Sequence, residues 1–82
     1  MALIPNISGK VKSIEPAEGK YQFKLVLIDC WLPGLGGKTE HDQIVWLPGP
    51  CDGKEGQMCS IFAFQLSAPN EWEAETHGYW SH

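Results

Sequence analysis

The sequence predicts an all-β protein: a single small antiparallel barrel of five strands covering residues 1–82. Three observations predict it. Runs that alternate apolar and polar residues recur at short intervals along the chain. Clusters of Gly and Pro stand between those runs, where a chain of strands needs turns. No window before residue 67 repeats with the 3.6-residue period of an amphipathic helix.

The first element runs from Ile7 to Glu15, with Ile7, Gly9, Val11 and Ser13 on one face and Ser8, Lys10, Lys12 and Ile14 on the other. The second runs from Tyr21 to Ile28. It sets Tyr21, Phe23, Leu25 and Leu27 against a second face of Gln22, Lys24, Val26 and Ile28. Between them lies the turn cluster Pro16-Ala17-Glu18-Gly19. Cross-strand partners share a face, so parity requires a three-residue loop, Ala17-Glu18-Gly19. That loop sets Val11 opposite Leu25, Ser13 opposite Phe23 and Lys12 opposite Lys24. Gly19 is the residue suited to the left-handed position that ends such a loop.

The stretch from Leu32 to His41 carries Pro33, Gly34, Gly36 and Gly37 and reads as an exposed loop. Gln43 to Leu47 is a short strand stopped by Pro48-Gly49-Pro50, and Asp52-Gly53-Lys54-Glu55-Gly56 is a further turn. Gln57 to Ser67 is apolar on both faces, the pattern of a central strand buried on two sides. Trp31-Leu32-Pro33-Gly34 recurs as Trp46-Leu47-Pro48-Gly49. A Trp at a strand end would cover the open end of a barrel, and Pro-Gly would end the strand.

The tail admits two readings. Ser67, Pro69, the acids at 71, 73 and 75, and Gly78 could cap a two-turn helix. The other reading is a strand, because Trp72, Ala74, Thr76, Gly78 and Trp80 alternate with Glu71, Glu73, Glu75, His77 and Tyr79. Period two holds over ten residues, which favours the strand with an acidic outer face.

Composition narrows the function classes. Charged residues are 20% and hydrophobic ones 43%, too apolar a mixture for a disordered chain. There is no Arg, and six Lys against ten carboxylates give a net charge of −4. The imbalance is sided: residues 1–38 hold five Lys and three acids, whereas residues 39–82 hold one Lys and seven acids. This excludes a strongly basic nucleic-acid binder. No apolar run approaches the roughly 20 residues of a membrane span, and no signal peptide is visible. Three cysteines, Cys30, Cys51 and Cys59, make an odd number without a C-x-x-C pair. Reduced thiols in the cytoplasm are expected, with a Cys51–Cys59 bridge as the one alternative pairing. His41, His77 and His82 offer no metal-ligand spacing with them, so no metal and no cofactor are expected.

An enzyme is not expected. Cys30 and His41 have no spacing that makes them meet, and Gly34-Leu35-Gly36-Gly37-Lys38 lacks the spacing and the following helix of a phosphate loop. Asp29 is the oddity, a carboxylate at the end of an apolar strand on the core-facing parity.

The run Gly9-Lys10-Val11-Lys12-Ser13-Ile14-Glu15-Pro16, followed by Gly19-Lys20-Tyr21-Gln22-Phe23, resembles the first hairpin of small single-stranded DNA-binding proteins. Those proteins have the five-stranded Greek-key barrel called the OB-fold. Lys54-Glu55-Gly56-Gln57-Met58 resembles the turn before their fourth strand. The chain departs from that pattern in having no helix between strands three and four, no Arg and an acidic final strand. An SH3-like barrel fits the same strand count.

Two binding functions follow. The first is a non-catalytic interaction module that self-associates as a homo-oligomer or meets a protein partner. Four Trp, two Tyr and three Phe exceed what one small core hides. Trp72 and Trp80 would be the anchors, with Tyr79 beside them and Glu71, Glu73 and Glu75 at the rim. The alternative, which the resemblance implies, is single-stranded nucleic-acid binding. There Lys10, Lys12 and Lys24 would form a cationic stripe, and Trp31 and Trp46 would be stacking platforms.

Overall fold

A computed structural model of the chain describes residues 7–32, 36–49, 53–74 and 79–81, the last three by their backbone alone. The strands are β1 (Ile7–Pro16), β2 (Phe23–Trp31), β3 (Gln43–Leu47), β4 (Met58–Ile61), β5 (Ala63–Gln65), β6 (Glu71–Ala74) and β7 (Tyr79–Ser81). They hydrogen-bond in the order β5-β6-β3-β2-β1-β4-β7. The all-β expectation holds. The closed, wholly antiparallel five-stranded barrel does not: the sheet is an open, curled one of seven segments, and β3 runs parallel to β6.

The extra segments arise where two expected strands break. The run Gln57–Ser67 stops at Phe62; β4 pairs with β1 and β7, while β5 pairs with β6. One residue of chain spans only about 3.3 Å, so the two sides of the sheet that β4 and β5 occupy must curl toward each other. The tail divides similarly into β6 and β7, and residues 71–74 are strand rather than helix. Their alternation is as expected, with Trp72 and Ala74 buried and Glu71 and Glu73 at the surface. Residues 75–78 lie outside the described residues. Among the described residues no helix is long and apolar enough to cross a membrane.

Ile7, Val11, Leu25, Leu27, Val45, Leu47 and Ile61 fill the inside of the curl, each essentially without solvent contact. Each such side chain contributes about 1.5–3 kcal/mol on burial. The ion pairs Lys12–Asp42 and Lys20–Glu73 sit in solvent, where such a pair is worth at most about 1 kcal/mol. Apolar burial therefore holds the fold.

The first hairpin forms, but in a different register. Val11 faces Leu27, not Leu25, and Ser13 faces Val26, not Phe23; Glu15 takes the place opposite Lys24. The connection spans residues 17–22 and is closed by Ala17 N–H donating to the Gln22 carbonyl at 3.0 Å. Gly19 does adopt the left-handed conformation, at φ 75. Two bulges cause the shift. Lys12 is an extra residue in β1, so the inward parity passes from Val11 to Ile14, which packs against the core. In β2, Asp29 and Cys30 together oppose Gly9, with Asp29 at φ 53. Strict alternation after Leu27 would bury the Asp29 carboxylate at a cost of several kcal/mol. A left-handed Asp costs about 1–2 kcal/mol. The bulge is the cheaper solution: it turns Asp29 out to solvent and Cys30 into the core.

Gly9 makes room for that inward turn. A Cβ on Gly9 would lie 2.6 Å from Cys30 Sγ and 3.1 Å from the Ile28 carbonyl oxygen. Gly9→Ala is expected to destabilise the fold by about 1–3 kcal/mol, measured as a lowered urea midpoint. In a Cys30→Ala background the same substitution should cost much less. Equal losses in both backgrounds would show that the Cys30 contact is not the cause.

Candidate functional site

The turn 17–22 and the parallel pairing of β3 with β6 build a cluster on the outer face of β2 and β3. Gln22 N–H donates to the Leu47 carbonyl at 2.8 Å, which ties the turn to the end of β3. In register, Lys24 of β2 lies beside Trp46 of β3, and Trp46 lies beside Glu73 of β6. Tyr21, at the turn's exit, stacks on Trp46 with ring centroids 5.5 Å apart and planes 30° apart. Lys24 Nζ stands 5.7 Å from the Trp46 ring centre, and Lys20 Nζ stands 5.2 Å from that of Tyr21. Cations over aromatic faces are attracted by the ring quadrupole, by about 0.5–1 kcal/mol at exposed positions.

Two carboxylates hold this cluster in place. Trp46 Nε1–H donates to Glu71 Oε1 at 3.0 Å, and Lys20 Nζ lies 3.7 Å from Glu73 Oε1. The Glu73 carboxylate, followed by Tyr21, raises the pKa of the Lys20 ammonium above its ordinary 10.5. Lys20 thus stays charged throughout the physiological range. The result is a half-buried pair of stacked rings under two cations, oriented before any ligand arrives.

The cationic stripe expected from the first hairpin is not continuous. Lys24 faces Glu15 across the hairpin, Lys10 faces Ile28 four β2 residues further along, and Lys12 is paired with Asp42 at 3.1 Å. The Lys12 bulge separates them. Trp31 is half exposed at the far end of β2. Trp46 lies half-buried on the outer face, against Tyr21. Parity sets Tyr21 on the face of Phe23, Leu25 and Leu27 and gives Lys20 no role. The connection's true length puts both in the turn, where the strand's alternation does not apply.

Of the residues expected at an interface, Trp72 is a core residue, 8% exposed, and belongs to the inward row with Ala74. Its indole N–H donates to Gln43 Oε1 at 2.8 Å. Gln43, buried at 3% exposure, donates in turn from Nε2 to the His41 carbonyl and to Asn70 Oδ1, both at 3.0 Å. Asn70 is left-handed at φ 63, and its carbonyl accepts from Ile44 N–H at 2.8 Å. One amide side chain thus ties together the starts of β3 and β6 with all its buried capacity used. Glu71 and Glu73 are partly buried and engaged as described. Tyr79 and Trp80 are placed in β7 by their backbone, opposite Ser60 and Cys59, and Glu75 lies outside the described residues.

Among the described residues no three His, Cys, Asp or Glu side chains gather as metal ligands. Cys30 and Cys59 are buried thiols; Cys51 lies outside the described residues. Burial, reinforced by the Asp42 and Asp29 carboxylates, pushes the Cys30 thiol from 9.0 to about 11, against the Thr39 hydrogen bond. A thiol with so raised a pKa is a poor nucleophile at neutral pH. It also links stability to pH. The unfolded chain releases this proton near pH 9 while the folded one retains it, so the contribution is full below pH 9 and is lost as pH rises toward about 11. Urea unfolding at intervals from pH 8 to 11 is expected to show that decline, less steep in Cys30→Ala; parallel curves would exclude the thiol as its source.

No protein-family model matches the chain, and comparison with the curated proteins and with the solved structures finds no match in either.

Proposed function

We propose that the protein is a non-catalytic binding module whose outer β2–β3 face takes single-stranded nucleic acid. The observation that carries this reading is the stacked Tyr21–Trp46 pair with Lys20 and Lys24 at its rings. Single-strand binders combine aromatic platforms, on which bases stack, with cations that meet the backbone. The strand arrangement supports the same reading. β5 pairs with β6 and β4 with β7, so β4–β5 and β6–β7 are two halves of one long hairpin. Counted as two strands, they bring the total to five, in keeping with the partly open barrel of the OB-fold, whose strand 2–3 face binds oligonucleotides. With only two lysines at the rings and two carboxylates beside them, the affinity is modest and sensitive to salt.

Titration with a single-stranded oligonucleotide at low salt, followed by Trp fluorescence, tests it. Quenching that saturates by tens of micromolar is expected, the range non-specific binders reach. No quenching there would overturn the reading. The self-association expected from the aromatic excess loses its anchor Trp72 to the core, while Trp31 and Phe64 are 50% and 53% exposed.

A further inference from the structure

A cleft of about 390 Å³ opens at the end of the curled sheet where β3 and β6 begin. Its volume lies in the range of small-molecule sites, and its lining joins two apolar side chains to a larger set of polar and charged ones. Leu32 and the Trp72 indole supply the walls, Gln65 and Asn70 the amides, and Lys38 and His41 the rim. The Trp72 wall is rigid, because Gln43 fixes its indole N–H and is itself held by Asn70 and the His41 carbonyl. Asn70 Oδ1 accepts from Gln43, and among the described residues no bond from the Asn70 amide hydrogens accompanies it. Glu40 also lines the rim, so the local charge suits one phosphate better than several.

We infer that this cleft holds a single nucleotide: a base over Leu32 and the exposed edge of the Trp72 indole, hydrogen-bonded by Gln65 and Asn70, with its phosphate toward Lys38 and His41. The inference rests on the strand-binding reading and deepens it. Gln43, at the cleft, and Trp46, in the stacked pair, are three residues apart on β3, about 10 Å. Gln43 faces inward and Trp46 outward, so a strand lying on the outer face reaches the cleft by passing over the end of the sheet with its terminal or an unstacked nucleotide.

The four indole N–H resonances of the ¹⁵N-labelled protein separate the two sites. Titration with 5′-mononucleotides to about 5 mM, within reach of weak binding, is expected to shift the Trp72 indole signal and the amides of Thr39 and Asn70. The Trp46 indole should move little. Lys38→Ala and His41→Ala, both in an exposed loop, should each weaken the mononucleotide by about two- to fivefold without altering the rest of the spectrum. An unmoved Trp72 signal overturns the cleft, as do equal shifts with inorganic phosphate alone. If oligonucleotide quenches Trp46 while mononucleotides leave Trp72 unmoved, the outer face stands and the cleft falls. The converse result sinks the outer face and keeps the cleft.

Discussion

Replacing Trp72 by Ala is expected to lower the unfolding free energy by about 3–5 kcal/mol, read from the urea midpoint. A domain of this length is stabilised by about 4–12 kcal/mol in total, so the variant should be largely unfolded at the lower end of that range. Trp72→Phe separates the two sources of the loss. It keeps much of the ring volume but leaves the buried Gln43 Oε1 without its 2.8 Å donor. An unsatisfied buried acceptor costs about 1–3 kcal/mol. Gln43→Leu in the Trp72→Phe background should not recover that loss, because it also removes the donor to the His41 carbonyl and to Asn70 Oδ1. An exterior Trp72 anchoring self-association would behave differently. Trp72→Phe would then leave the urea midpoint in place and lower the mass seen by light scattering at high concentration.

The same residue marks how far local pattern carries. Alternation put Trp72 and Ala74 on one face and Glu71 and Glu73 on the other, and that holds in β6. The acids also mark the outer face correctly, but how the buried Trp72 indole is satisfied does not follow from the tail alone. It depends on Gln43, 29 residues earlier, whose amide accepts the indole N–H. Parallel pairing of β3 with β6 brings the two together, and no local period encodes that pairing.

The first hairpin makes a related point. Both strands were legible, yet their register was not, because each carries a bulge that shifts its parity once. The signals were nonetheless present in single residues: Ile14 was the apolar member of a polar face, and Asp29 was the carboxylate of an apolar one. Each is the residue a bulge moves to the side its chemistry prefers. Gly9, facing the second bulge, has no side chain where Cys30 Sγ needs the space. The break at Phe62 left no such mark, since the run Gln57–Ser67 is apolar on both sides of it.

Trp46→Ala is expected to weaken single-stranded oligonucleotide binding by about 5- to 150-fold, the range that corresponds to 1–3 kcal/mol of base stacking. Tyr21→Ala should fall in the lower part of that range, because the Trp46 platform remains while its stacking partner is lost. Lys20 and Lys24 set the salt response. Two phosphate contacts on a single strand give a slope of about −1.4 in log affinity against log salt, and Lys24→Ala should reduce it by about 0.7. The carboxylates act in the opposite direction. Glu73→Gln releases Lys20 from its 3.7 Å ion pair and should tighten binding at low salt. Glu71→Gln keeps an oxygen for the Trp46 N–H while removing a negative charge, so it should tighten binding without loosening the ring. A Trp46→Ala variant that binds oligonucleotide as well as the wild type would remove the stacked pair from the site. Tighter binding in both glutamate variants together with weaker binding in Trp46→Ala fits one surface only: an aromatic platform whose cations are partly neutralised by their own neighbours.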